Sequence, residues 1–407
     1  MSTIEKNMKK PIIGQRIRRL RMTQGLSLEE LAARMGGFVT KQALSKYELS
    51  KTQPSPKVLT LLAQALSTQS SYFWGKPKYQ IKVTGFRKKS ELPQSLQEHF
   101  RSRVCHVLEE RLRIQESFHP SPHDCCLPTR LWKSGTVDEI EDAADRLRKM
   151  WNLGKNPIRN VTYTMEDHCV HVVLVEAPEG FDGVSAKATL SNGTIAGMTV
   201  ATRRDVPGER MRFNLAHELG HLFLEPDKEN TEKAAHRFAS AFLAPRETFF
   251  RAVGKTRQSV GMPELLLLKK YFGMSIQAII YRLRDLNVIS ETDYKAWWPH
   301  LTKLGYRLHE PEELAIEEPR WVEQNIYRAF SEGVISKEEA EEILGKKLAE
   351  ETSLTLLQKK NFMKLSLEER RKILKKQAES ASSHYAEDPE WRSLEGGDSF
   401  EDGSSPS

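Results

Sequence analysis

Arg212-Phe213-Asn214-Leu215-Ala216-His217-Glu218-Leu219-Gly220-His221-Leu222-Phe223-Leu224 is the stretch that decides how this chain reads. One helical turn separates His217 from His221, so both imidazoles leave the same face and can converge on one Zn²⁺, with Glu218 beside an open coordination position. The flanking Phe213, Leu215, Ala216, Leu222, Phe223 and Leu224 supply the apolar stripe that buries such a helix and turns its polar triplet into a cleft. The pattern predicts a metal-dependent hydrolase.

Downstream, residues 232–245 form a second helical pattern that opens with Glu232 and stops at Pro245. Its apolar face would pack on the first helix, which lets Glu232 point back at the two histidines. Two imidazoles, one carboxylate and a water make a catalytic coordination set rather than a closed structural one. Residues 225–230 read as the turn between the helices. His236, one turn after Glu232, has three readings: a partner that orients a ligand, a substitute ligand, or the polar edge of a packed helix. The chemistry follows from the residue types. Zinc lowers the pKa of its water and polarises a peptide carbonyl, and Glu218 moves the proton from water to the leaving amine. His236, Arg210 and Arg212 are all candidates for stabilising the oxyanion. Alternation in residues 186–190 and 194–200 predicts strands ahead of this helix, and an edge strand there could hold an extended substrate.

These residues resemble the ImmA/IrrE metallo-endopeptidases, zincins that act on repressor-type regulators. The likeness runs from Arg212 to His221 and from Glu232 to Pro245, and reaches upstream to Trp151-Asn152-Leu153-Gly154-Lys155-Asn156-Pro157-Ile158 and Phe181-Asp182-Gly183. It implies one Zn²⁺ per chain on His217, His221 and Glu232, with Glu218 as general base. Asn214 stands where that family often has threonine, and His236 where it often has asparagine or aspartate.

The amino-terminal region carries a second function. Ile13, Ile17 and Leu20 mark a first helix. Ser27-Leu28-Glu29-Glu30 is a capping box that opens a second, which Gly36-Gly37 ends, and Thr40 caps a third over Lys41 to Glu48. Pro54-Ser55-Pro56 precedes a fourth helix with Val58, Leu61, Leu62 and Leu66. Two short helices joined by a tight turn predict a helix-turn-helix whose third helix enters the major groove. The stretch resembles the XRE/Cro-type helix-turn-helix family over its whole length. That resemblance implies groove-facing Lys41, Gln42, Ser45 and Lys46, and Arg16, Arg18, Arg19 and Lys51 near phosphates. Leu28 stands where that family commonly has glutamine, and Ser50 where it commonly has glycine. Basic residues outnumber acids by about three to one before Gly75, as binding to double-stranded DNA requires.

At 407 residues the chain exceeds one ordinary domain, and its net charge of +7 matters mainly for its concentration at the amino end. No secretory signal and no long apolar run are present, which predicts a cytoplasmic protein without a membrane partner. Cys105, Cys125, Cys126 and Cys169 make no disulfide framework, and residues 118–126 read as a polar loop. The expected fold is α+β and mostly helical. Residues 1–75 form the helix-turn-helix module, 76–130 a helical connector and 131–255 the zincin-like core with a small sheet. A helical carboxyl-terminal region spans 256–349 and a flexible tail 350–407. Tyr294, Trp297 and Trp298 recur at helical spacing and read as core.

The tail from Leu365 is similar to antitoxin segments that order on a toxin partner, with Ile373, Leu374, Tyr385 and Trp391 as anchors. The leading reading is a transcription regulator, toxin–antitoxin-like in context and able to form a homodimer, with an endopeptidase domain that cleaves a repressor or antitoxin-type protein. The rival is a DNA-binding repressor or antitoxin that uses the zincin fold as a sensor or docking surface without turnover.

Overall fold

The computed structural model describes residues 12–68, 70–74, 78–88, 92–118, 126–178, 181–225, 230–348 and 362–387. Two compact units divide the chain, Met1–Val322 and Glu323–Ser407.

The first unit opens with helices α1 (Ile12–Thr23), α2 (Leu28–Arg34), α3 (Lys41–Glu48), α4 (Pro56–Ala65) and the single turn α5 (Ser71–Trp74). Short polar residues set their starts. Ser27 and Glu30 form the expected capping box, Thr40 accepts from the Ala43 amide, and Ser55 accepts from the Val58 amide. Ile17, Leu31, Leu44, Leu62 and Phe73 fill the small core. Arg21 ties α1 to α3 through two hydrogen bonds to Glu48, at 2.6 and 2.8 Å.

A four-stranded sheet follows, β1 (Gln80–Lys88), β2 (Val170–Val175), β3 (Phe181–Thr189) and β4 (Ile195–Arg203), in the order β1-β3-β4-β2. β3 is antiparallel to both β1 and β4, whereas β2 runs parallel to β4. β1 is a departure from the helical pattern expected after Tyr79. Residues 80–84 alternate exposed and half-buried, because the strand lies at the sheet's edge with one face on the core. It also corrects the idea that residues 186–190 or 194–200 supply an edge for substrate. β3 and β4 are each paired on both sides, and β1 and β2 form the edges.

Helix α6 (Gln94–Phe118) covers one face of the sheet. Phe100, Val104, Leu108 and Leu112 recur every four residues and meet Phe181, Val184, Ala186 and Ala201. The other face packs against α7 (Val137–Met150), α8 (Val161–Asp167), α9 (Gly208–Phe223) and α10 (Thr231–Leu243). Val170, Val172, Leu174, Met198 and Val200 belong to that larger core with Leu215, Leu219, Phe238 and Phe242. Next come α11 (Arg246–Val253), α12 (Met262–Phe272), α13 (Ile276–Asp285) and α14 (Glu291–Lys303). As expected, Tyr294 is buried and Trp297 and Trp298 pack against the same core. Cys169 is disulfide-bonded, although the sequence suggested no such framework; its partner is outside the described residues, as are His119 to Cys125.

Residues 310–318 form an acidic strap along the start of α9. Glu310 pairs with the buried Lys269, which also binds Glu209, and Glu209 accepts from the Leu314 amide at 2.9 Å. α15 (Trp321–Ser331) starts two residues before the boundary between the units, and α16 (Lys337–Leu344) and α17 (Leu367–Glu387) belong to the second unit. Leu374 is exposed on α17, and Trp391 lies outside the described residues.

Candidate metal centre and helix-turn-helix surface

α9 carries the histidine pair as its spacing predicts. His217 is fully buried, and its Nε2 stands 2.9 Å from Nε2 of His221. Glu232, in the first turn of α10, completes the set at 3.3 Å from each of these nitrogens. Four-coordinate zinc with nitrogen donors at ~2.0–2.1 Å needs donor atoms about 3.3 Å apart, so these three fit such an ion. The approach of α9 to α10 depends on Gly220. A Cβ there would lie 3.0 Å from Cα of Ala235 and would push the helices apart.

Further ion pairs fix α10 from its opposite side. Arg237 donates to Glu141 of α7 at 2.6 Å, and Arg282 of α13 makes two bonds to the same carboxylate, at 2.5 and 2.9 Å. Burial alone would raise the Glu141 pKa. Arg282, then Arg237, outweigh it and hold that carboxyl below the usual range.

Glu218, almost fully buried, faces β3. The contact requires a glycine on that strand: a Cβ at Gly183 would sit 2.7 Å from Oε1 of Glu218. The sequence showed Gly183 only as part of a family likeness, without this role.

Of the three candidates for oxyanion stabilisation, Arg212 is excluded by its position. Its guanidinium is buried and spent on the carbonyls of Gly273, Arg159 and Ile158 and on the carboxylate of Glu317. Arg210 is exposed on the same helix. His236 is exposed too, yet its ring centroid lies 4.4 Å from that of His217. Donor atoms of His217, Glu232 and His236 lie within 4.8 Å of one another. His217 and Glu232 thus belong to two overlapping triples, one with His221 and one with His236.

On the helix-turn-helix module, α3 presents Lys41, Gln42 and Lys46 exposed, with Ser45 half-buried and Lys51 exposed beyond it. Lys41 also pairs with Glu29 of α2. Ser50 takes the left-handed backbone, φ 58°, that the sequence position called for. Arg18 is exposed, 3.7 Å from Glu98 of α6. Arg19 donates to Glu109 of α6 at 2.8 Å. Arg16 departs from its expected place near phosphate. It is buried against the Tyr72 carbonyl, over the Tyr72 ring and beside Glu109, because α6 packs on that side of α1. Glu109 also accepts from the Tyr72 hydroxyl at 3.1 Å. No sequence signal identified this carboxylate.

Comparison with known families agrees with both halves of this description. Residues 17–73 match the helix-turn-helix family model, and residues 182–284 match that of the IrrE N-terminal-like domain. The chain thus carries an XRE-type helix-turn-helix module and an ImmA/IrrE-like peptidase-type domain on one polypeptide. No curated protein matches it. Among the described residues, no helix is long and apolar enough to cross a membrane.

Proposed function

We propose that this chain is a DNA-binding regulator whose ImmA/IrrE-like domain is a zinc-dependent endopeptidase that cleaves a repressor or antitoxin-type protein. The observation that supports it most is the convergence of His217, His221 and Glu232 within 3.3 Å, with Glu218 buried alongside against Gly183. When bound, zinc supplies a Lewis acid for the peptide carbonyl and an activated water. Glu218 accepts the water proton and returns it to the leaving amine. Packing against β3 holds its carboxylate in one orientation, so little reorganisation is needed at the moment of transfer. Lys41, Gln42, Ser45 and Lys46 would meet base edges, and Arg18 and Lys51 phosphate.

Co-expression of the full chain with its genomic neighbours tests this reading. Site-specific cleavage of one neighbour is expected with the wild type. Glu218→Gln should abolish cleavage while about one zinc per chain is retained, since only the base is lost. Tight binding of a neighbour without any cleavage by the wild type would favour a sensor or docking role instead.

A further inference from the structure

We propose that β1 is a built-in blocking strand: it occupies the edge of β3 on which an extended substrate segment would lie, and it has to peel away before that segment can bind. The inference rests on the endopeptidase reading above and deepens it. β3 is the strand beside Glu218, through the close approach at Gly183. β1 runs antiparallel along it from Gln80 opposite Thr189 to Lys88 opposite Phe181, which sets Arg87 opposite Gly183. The strand therefore reaches the level of the candidate base. α9, which carries His217, Glu218 and His221, packs against both strands. A peptide that joins a sheet does so through main-chain hydrogen bonds at a strand edge. In this structure β1 holds those of β3 and leaves it no free edge.

The pairing of β1 is suited to being broken. Lys82 stands directly opposite Lys187, a like-charge pair that weakens a ladder where opposite charges would strengthen it. The register slips between Val83 and Gly85 and again between Arg87 and Lys88, the second time beside Gly183. Gln80, Lys82 and Thr84 are exposed, and Ile81 and Val83 are only half-buried against the core under α6. β3 keeps its other neighbour, β4, if β1 leaves. Residues 80–88 lie in the connector between the segments that match family models, 17–73 and 182–284, so β1 joins the sheet from outside the matched peptidase-type segment. Being tethered, it meets β3 at a high effective concentration, and an outside segment has to outcompete it.

Hydrogen exchange distinguishes removal of β1 from growth of the sheet beyond it. The substrate is the neighbour that the wild type cleaves on co-expression, mixed with full-length, zinc-loaded Glu218→Gln so that it is bound and not cut. Amides of residues 80–88 are expected to exchange about tenfold faster in the complex, while those of 181–189 stay protected by the incoming segment. Unchanged or slower exchange over 80–88 would overturn the inference and leave the endopeptidase reading standing, because the segment would then lie elsewhere or on the outer edge of β1. A cross-link supplies a second measurement. Lys82→Cys with Lys187→Cys places two thiols directly opposite each other. The oxidised, cross-linked form should lose cleavage of that neighbour and regain it with reductant, against a wild type taken through the same cycle. Cleavage at the wild-type rate by the cross-linked form would also overturn the inference. A wild type that cleaves no neighbour would remove the endopeptidase reading first, and the blocking role with it.

Discussion

At Gly183 an added methyl group would stand 2.7 Å from the Glu218 carboxylate, which cannot retreat far because it is buried. Gly183→Ala is therefore expected to displace the base and lower the cleavage rate about 100-fold, as an ångström of misplacement can. Zinc content, measured on the same preparation, should stay at the wild-type level. His171 offers a different residue-scale test. Burial first, then the Arg111 guanidinium, hold this imidazole well below its usual range, so the folded protein keeps it neutral. An unfolded chain would take up a proton near pH 6.5, so the stabilising contribution is complete above that pH and lost as pH falls below it. His171→Leu should flatten the decline in denaturant midpoint below about pH 6.5; an unchanged acid limb would remove His171 as its source. The sequence made His217, Glu218, His221 and Glu232 legible, because one helical turn and one apolar face are local facts. Gly183 and His171 act through partners distant along the chain, and no spacing rule reports those.

Secondary-structure elements show the same division between local and distant information. Caps at Ser27 and Thr40 and the apolar stripe of α6 were readable because each is confined to a few residues. β1 was not, although residues 80–84 alternate with period two: its partner strand is about a hundred residues away, and lysines dilute the pattern. The acidic strap was also hidden. The sequence assigned residues 310–318 only to a helical region over 256–349, yet residues 311–318 are not helical and Glu317 reaches both Arg212 of α9 and the Thr162 amide of α8. Glu317→Ala would leave the Arg212 guanidinium buried without its carboxylate, a change that typically costs about 3–5 kcal/mol. Urea unfolding should show a loss of that order, and a loss below about 1 kcal/mol would mean that the three carbonyls on Arg212 suffice.

The whole first unit turns on α6, which meets α1 and Tyr72 through polar groups and the sheet through its apolar stripe. Glu109 holds Arg19 there, and removing that carboxylate would free a guanidinium on the helix-turn-helix surface. Glu109→Ala is expected to tighten DNA binding and steepen its salt dependence by about one phosphate contact, read from anisotropy titrations at several salt concentrations. An unchanged slope would place Arg19 away from the duplex. The same helix also governs how the protein can be dissected. Scissors applied near residue 75 would strip Glu109 from Tyr72, and a fragment beginning near residue 131 would leave Phe181, Val184 and Ala201 uncovered, a bare apolar sheet face that self-associates in water. The helix-turn-helix module and the candidate metal centre lie in one compact unit, so workable deletions should begin on the carboxyl-terminal side of Val322, where that unit ends.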